Sequence, residues 1–324
     1  LIVTDGDPQS NSDNSLVGFD FLYQTTRLPG GRMIESELWM QQSDTEGLDG
    51  DDASWGARFW MPNATGLRGG VGLKEVESNF NPALGFVNRS NIRDTTGELG
   101  YTYRPVGRTL RSVYSGATVQ RIERLTGGLQ SQVAMFRVNL ENQSGDALKF
   151  TYQNEKEGLL TPFEISDGIV IEPGEYSFDQ FLVGLSTGSH RRVVGNLSLG
   201  SGDFYDGERD NIGADLELKP NPYLRAFVGY DYNEVSLPSG DFELRLARIG
   251  VDVAFSSRLS WTNLIQYDNA SETAGINSRF HWRPQAGRDL FVVLNHSLED
   301  PDRDNDFRSS FADLSIKFNY TFRF

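Results

Sequence analysis

The last ten residues, SIKFNYTFRF, put Ile316, Phe318, Tyr320, Phe322 and Phe324 at every second position. Ser315, Lys317, Asn319, Thr321 and Arg323 lie between them. Strict period two predicts a strand with one apolar and one polar face. The same code recurs upstream. LVGFDFLYQ sets Val17, Phe19, Phe21 and Tyr23 against Gly18, Asp20 and Gln24, and SWGARFWM sets Trp55, Ala57, Phe59 and Met61 against Gly56, Arg58 and Trp60. GELGYTYR, NIGADLELK, YLRAFVGYDY and INSRFHW repeat it. Two strands are less regular. ELRLARIGVDVAF changes phase near Leu246 and Ala247, which predicts either a bulge or an extension past the apolar zone, and DLFVVLNHS is apolar on both faces and fits either register.

The connections alternate in length. RLPGGR, PNATG, RPVGR, NQSGD, STGSH, KPNPY, SSR and RPQAGRD are short. Between them fall QSDTEGLDGDD, VESNFNPALGFVNRSNIRD, the IERLTGG turn, NEKEGLLTPFEISDGIVIEPGEY, DFYDGERD, NEVSLPSGD, NASET and LEDPDRDND, most of them longer and more acidic. About seventeen full strands and a stub at Leu1–Asp5 give about eighteen or more. The expected fold is all-β: an antiparallel up-and-down transmembrane barrel with short periplasmic turns and long acidic extracellular loops. A soluble sandwich, solenoid or propeller would also alternate, but predicts neither the short/long rule nor an apolar terminal strand. Phe59, Tyr101, Tyr103, Tyr223, Trp261, Trp282, Tyr320 and Phe322 gather toward the short-turn end, where an aromatic girdle belongs.

Composition narrows the picture. No apolar run reaches the roughly 18 residues of a spanning helix, and a barrel needs none. The net charge of −15 argues against nucleic acid as a partner. Without cysteine there is no disulfide framework and no thiolate metal site. LIVTDGDPQS reads as the end of a strand running into a loop, not as a signal peptide, so a mature or truncated C-terminal piece of a longer chain is expected. The expected location is a Gram-negative-type outer membrane. The expected partners are its lipid and lipopolysaccharide, the barrel-assembly machinery, and a glycan or protein partner at the extracellular loops.

NFNPALGFVNRSNIRD (79–94) and LIQYDNASETAGINSRFHWRPQAGRDLFVVLNHS (264–297), together with the final strand, resemble one family of bacterial outer-membrane proteins. Its members carry an N-terminal carbohydrate-binding-like domain of the family-9 type, followed by a C-terminal domain of unknown function. The resemblance covers the whole chain as the later part of that C-terminal domain. It implies an envelope role connected with glycans or polymers, and supplies no catalytic residue. Tyr320, Phe322 and Phe324 are similar to the terminal signal read by the barrel-assembly machinery.

The candidate chemistry is mostly polar wall. Asp20, Arg58, Arg68, Lys74, Glu98, Arg104, Asp215, Glu217, Arg225, Asp231, Asp252 and Arg279 are expected to face a hydrated lumen, interleaved with glycines such as Gly56, Gly70, Gly100 and Gly250. Those glycines either ease strand curvature or leave room for a plug or a passing polymer. The three histidines, His190, His281 and His296, are scattered and lack metal-ligand spacing. His296 and Ser297 are adjacent in a strand, so they point to opposite faces and cannot pair. No cofactor is expected. Asp300, Asp302, Asp304 and Asp306 alternate in EDPDRDND and offer hard oxygen ligands for Ca²⁺, without the glycine and terminal glutamate of an EF-hand. A solvated loop is the simpler reading. Segment 159–171, LLTPFEISDGIVI, is apolar for a loop and predicts a lumen constriction, a docking element or a plain hairpin.

No nucleophile–base pair emerges, so no enzyme is expected. Two functions stay open: a porin-like pore or surface conduit linked to glycan or polymer uptake, and a plugged barrel that anchors or scaffolds a partner.

Overall fold

A computed structural model describes residues 1–8, 13–300, 304 and 306–322. Strands make up the regular structure, and no helix occurs among the described residues. One antiparallel sheet holds eighteen strands, and a separate two-stranded sheet holds a small hairpin. The chain divides into two compact units.

The first unit comprises Leu1–Leu140 and Phe150–Phe181. Its strands are β1 (Ile2–Asp5), β2 (Asn14–Leu28), β3 (Arg32–Thr45), β4 (Ala53–Met61), β5 (Gly66–Val76), β6 (Ile92–Tyr103), β7 (Leu110–Arg124) and β8 (Leu129–Asn142). There follow most of β9 (Ala147–Leu159), the hairpin β10 (Phe163–Ser166) and β11 (Ile169–Ile171), and much of β12 (Gly174–Ser186). From β1 to β7 each strand pairs with the next. The second unit carries β13 (Val193–Phe204), β14 (Gly207–Asn221), β15 (Leu224–Leu237), β16 (Gly240–Ser256), β17 (Leu259–Asp268), β18 (Thr273–Gln285), β19 (Arg288–Glu299) and β20 (Arg308–Tyr320), again paired in chain order. The eighteen strands of the large sheet include the stub at the start, in line with the alternation.

The register turns the sequence code into two faces. Phe19 stands opposite Met40 and Phe21 opposite Leu38, Ala57 opposite Leu73, and Phe59 opposite Val71. In the second unit Val228 opposes Ile249, Trp261 opposes Phe280, and Leu290 opposes Phe318. This apolar face is uncovered: Ile316 is 68% exposed and Phe318 62%, and the girdle aromatics from Phe59 to Phe322 are all exposed. The ambiguous strand β19 settles with Leu290, Val292, Leu294 and His296 on this face, opposite Trp282, Phe280, Ser278 and Ile276.

Some expectations change. DFYDGERD and NEVSLPSGD are not loops. β13 and β14 pair up to Phe204 and Gly207, with only Tyr205 and Asp206 between them, and β15 and β16 pair up to Leu237 and Gly240, with only Pro238 and Ser239 between them. Tyr205 takes a positive φ of 52°, which tight hairpin turns demand. The phase change in β16 is an extension, not a bulge. Its register with β15 runs unbroken from Val253 to Gly240, whereas its pairing with β17 stops at Leu246. Past that point the former apolar face carries Arg245 and Glu243, which pair with each other, and the opposite face carries Phe242 across from a buried Val235. The acidic composition of these segments reflects strands that have left the apolar band. Segment 159–171 contains the hairpin β10–β11, with Ile169 and Ile171 buried.

The polar-face glycines have a cause the sequence did not disclose. A Cβ at Gly56 would stand 2.7 Å from the Trp39 indole, and one at Gly100 would stand 2.7 Å from the Tyr114 ring. Trp60 and Phe227 lie over Gly70 and Gly250 in the same way. The rings lie flat on bare backbone, and three carry an arginine above them: Arg58 on Trp60 at 4.7 Å, Arg68 on Tyr114 at 5.9 Å and Arg225 on Phe227 at 4.7 Å. Each such cation–π contact contributes about 0.5–1 kcal/mol at an exposed site.

This packing makes Gly100→Val a test. The added side chain must displace the Tyr114 ring, and such overpacking costs about 1–3 kcal/mol. The unfolding midpoint in urea, followed in detergent micelles, should fall accordingly. Gly195→Ala, whose new methyl meets nothing within 4 Å, should leave the midpoint unchanged.

Candidate functional site

The polar face is where charge collects, and alternation puts it there. In the first unit Asp20 stands opposite Trp39, Arg58 opposite Glu37, Arg68 opposite Gly100, Lys74 opposite Asp94, and Glu98 opposite Gly70. In the second, Asp215 stands opposite Gly229, Glu217 opposite Phe227, Arg225 opposite Asp252, Asp231 opposite Leu246, and Arg279 opposite Val293. Arg104 departs from the expected wall. β6 ends at Tyr103 because Pro105 follows and has no N–H to give, so Arg104 sits in the turn and donates to Thr65 Oγ1 at 3.1 Å.

Most of these charges are neutralised across strands. Arg68 meets Glu98 at 2.9 Å, and Lys74 meets Asp94 at 3.4 Å. Gln120 adds its amide to the Asp94 carboxylate at 3.0 Å. In the second unit Arg225 spans Glu217 at 2.6 Å and Asp252 at 2.8 Å, and Arg248 spans Asp231 at 2.5 Å and Asp215 at 3.3 Å. His281 stacks on Phe291 at 4.2 Å and shares Asp289 with Arg283. Partly exposed pairs of this kind add about 0–1 kcal/mol each. Their consequence is a wetted face of mixed sign on which most of the named charges are paired, while Asp20, Arg58 and Arg279 have no ion pair among the described residues.

A long connection lies on this face, and the sequence did not single it out for that role. The 77–91 segment, within the stretch that carries the family resemblance, is tied to the ends of neighbouring strands. The Asn79 N–H reaches Asp51 O at 2.7 Å, the Asn81 N–H reaches Ser43 Oγ at 3.0 Å, and Asn14 Nδ2 donates to Asn81 O at 3.1 Å. Phe80, 7% exposed, packs with Leu16, Val76, Ile92 and Ile122. Those four interrupt the polar side of their strands with apolar residues, which was the signal available in the sequence.

The other candidates fall as follows. His296 and Ser297 lie on opposite faces, as the alternation requires, and His296 Nε2 instead meets Ser309 Oγ at 3.0 Å on the apolar face. Asp300 is buried, and its carboxylate accepts the Asp304 N–H at 3.1 Å; Asp304 in turn accepts the Asp306 N–H at 3.0 Å, and Asp306 pairs with Arg308. Asp302 lies outside the described residues, among which no group of three or more His, Asp or Glu side chains is arranged for a metal. Tyr320 ends β20 with its ring 4.4 Å from Phe322, under Arg288 at 4.6 Å; Phe324 lies outside the described residues.

Compared with known protein families and with curated proteins, the chain matches no family model and no curated protein.

At the short-turn end of the second unit, Asp146 clasps two turns. Its carboxylate accepts from Asn142 Nδ2 at 3.0 Å, from the Gly188 N–H at 2.9 Å, and from Arg191 at 2.7 and 3.0 Å. The Asn142 amide first, then the Gly188 N–H and the Arg191 guanidinium, hold its pKa at about 2 instead of 3.8. A carboxylate depressed on folding stabilises fully above its unfolded pKa and loses that contribution as pH falls toward the folded value. Asp146→Asn should therefore melt below the parent at pH 6, and the gap between the two Tm values should close as pH falls from 4 to 2.

Proposed function

We propose that the chain is an outer-membrane barrel of Gram-negative-type bacteria, and that its polar face lines a water-filled path across the lipid. The observation that carries this reading is the bare apolar face that each unit presents on strands whose backbone is paired. Soluble monomers rarely expose apolar patches larger than a few hundred Å². Lipid covers such a face, and a closed sheet is the β arrangement that satisfies every backbone group there. Eighteen strands suit a barrel wide enough for an aqueous lumen. The neutralised wall supports a general conduit for polar solutes, and the resemblance to glycan-associated envelope proteins supports a sugar or polymer as cargo. The role is passage, not catalysis.

A second reading is favoured by one observation. The 77–91 segment is fastened onto the polar face, as a plug element would be, and this supports a closed barrel that anchors a partner.

Planar-bilayer recording of the reconstituted, folded chain separates the two readings. The pore reading expects steady conductance steps carried by both K⁺ and Cl⁻, enlarged when Leu84–Phe86 at the tip of the 77–91 segment are replaced by glycine and serine. Silence from both proteins would sink the pore and favour the anchor.

A further inference from the structure

Between the 77–91 segment and the polar face of the first unit lies a cavity of about 790 Å³. We propose that it is a binding site for a neutral oligosaccharide, an inference that rests on the polar face being reached from water.

The lining includes two aromatic side chains, Trp39 and Phe86, together with polar groups. Trp39 packs its indole against Gly56 and also lines the cavity. Phe86, on the opposing segment, is 87% exposed although the segment that carries it is hydrogen-bonded to the strand ends. A flat C–H face of a pyranose ring packs on such side chains. Gln41, Gln120, Asp94 and Lys74 also line the space. Planar amides and carboxylates match vicinal hydroxyl pairs, donating and accepting at once. The Trp39 Nε1–H and the Gln41 amide make no hydrogen bond to another protein group among the described residues, so both are unspent donors in a ligand-sized space.

Charge excludes a cation as the ligand. Lys74 is paired with Asp94, and the Arg89 guanidinium, also at the cavity, donates to Ser131 Oγ at 3.2 Å. No bare carboxylate lines the cavity to seat a cation, Lys74 is already paired, and Arg89, whose partner Ser131 is uncharged, keeps its charge and offers donors to hydroxyl oxygens. A neutral, hydroxyl-rich ligand with apolar faces satisfies the donors and the aromatic side chains together, and the volume accommodates several linked rings.

The test is calorimetric titration of the full chain, folded in detergent micelles, with neutral trisaccharides of the glucan, xylan and chitin types. A charged uronic-acid trisaccharide and an aromatic tripeptide serve as rivals. Saturable binding of at least one neutral sugar is expected. Phe86→Ser and Gln41→Ala should each weaken it about tenfold, the loss of about 1.4 kcal/mol. Both side chains are free of structural hydrogen bonds, so loss of folding will not mimic the result. No binding by any neutral sugar, stronger binding of either rival, or affinity unchanged in both variants would overturn the proposal. Calorimetry needs no conduction, so a conducting protein that fails to bind sugar would refute this site and leave the pore reading standing.

Discussion

A β-strand offers each side chain two directions and no third, and the whole chain is organised by that restriction. Once one residue of Phe19, Phe21 and Tyr23 is committed to the apolar side, Asp20 and Gln24 are committed to the other. Pairing in register then spreads the choice from strand to strand, because a slip of one residue would exchange the faces everywhere. The opposed rows of leucines, valines and aromatics on one side, and the cross-strand ion pairs on the other, are two outcomes of the same constraint.

On the polar side the constraint creates a packing problem, since charged and aromatic side chains are forced together at strand spacing. The structure solves it by lowering the floor. Where Tyr114 or Trp39 must lie down, the residue beneath is glycine, and the ring occupies the place of the missing side chain. Arginines then lie over the rings and reach carboxylates on adjacent strands, as Arg68 does between Tyr114 and Glu98. Glycine, ring, guanidinium and carboxylate form one stacked unit that recurs with Arg225, Phe227 and Gly250.

Much of this was legible in the sequence, because period two is a local property. The strands, the apolar face, the short turns and the sides taken by Lys74, Glu98 or Arg225 follow from alternation alone. What stayed hidden depends on contacts distant along the chain. Nothing near Gly100 announces that Tyr114 will lie on it. Phe80 reads as a loop residue until Leu16 and Ile122, from separate strands, come together beneath it. The misread connections around Tyr205 and Pro238 have a different cause. Turn residues and acidic composition predict a loop, whereas both also mark a paired strand that has passed beyond the apolar band.

That last feature bears on how the chain meets its surroundings. Beyond the apolar band, β13 to β16 continue as a stiff ribbon with tight bends, at about 3.3 Å of reach for each residue. Arg209 is held opposite Val235, and Arg245 opposite Tyr232, inside intact ladders. A protease seeks exposed loop tips and slack chain. Here the two basic residues, Arg209 and Arg245, sit inside paired strand among a majority of acidic ones, with little free chain to grip, so these hairpin ends present a fixed relief to whatever touches them.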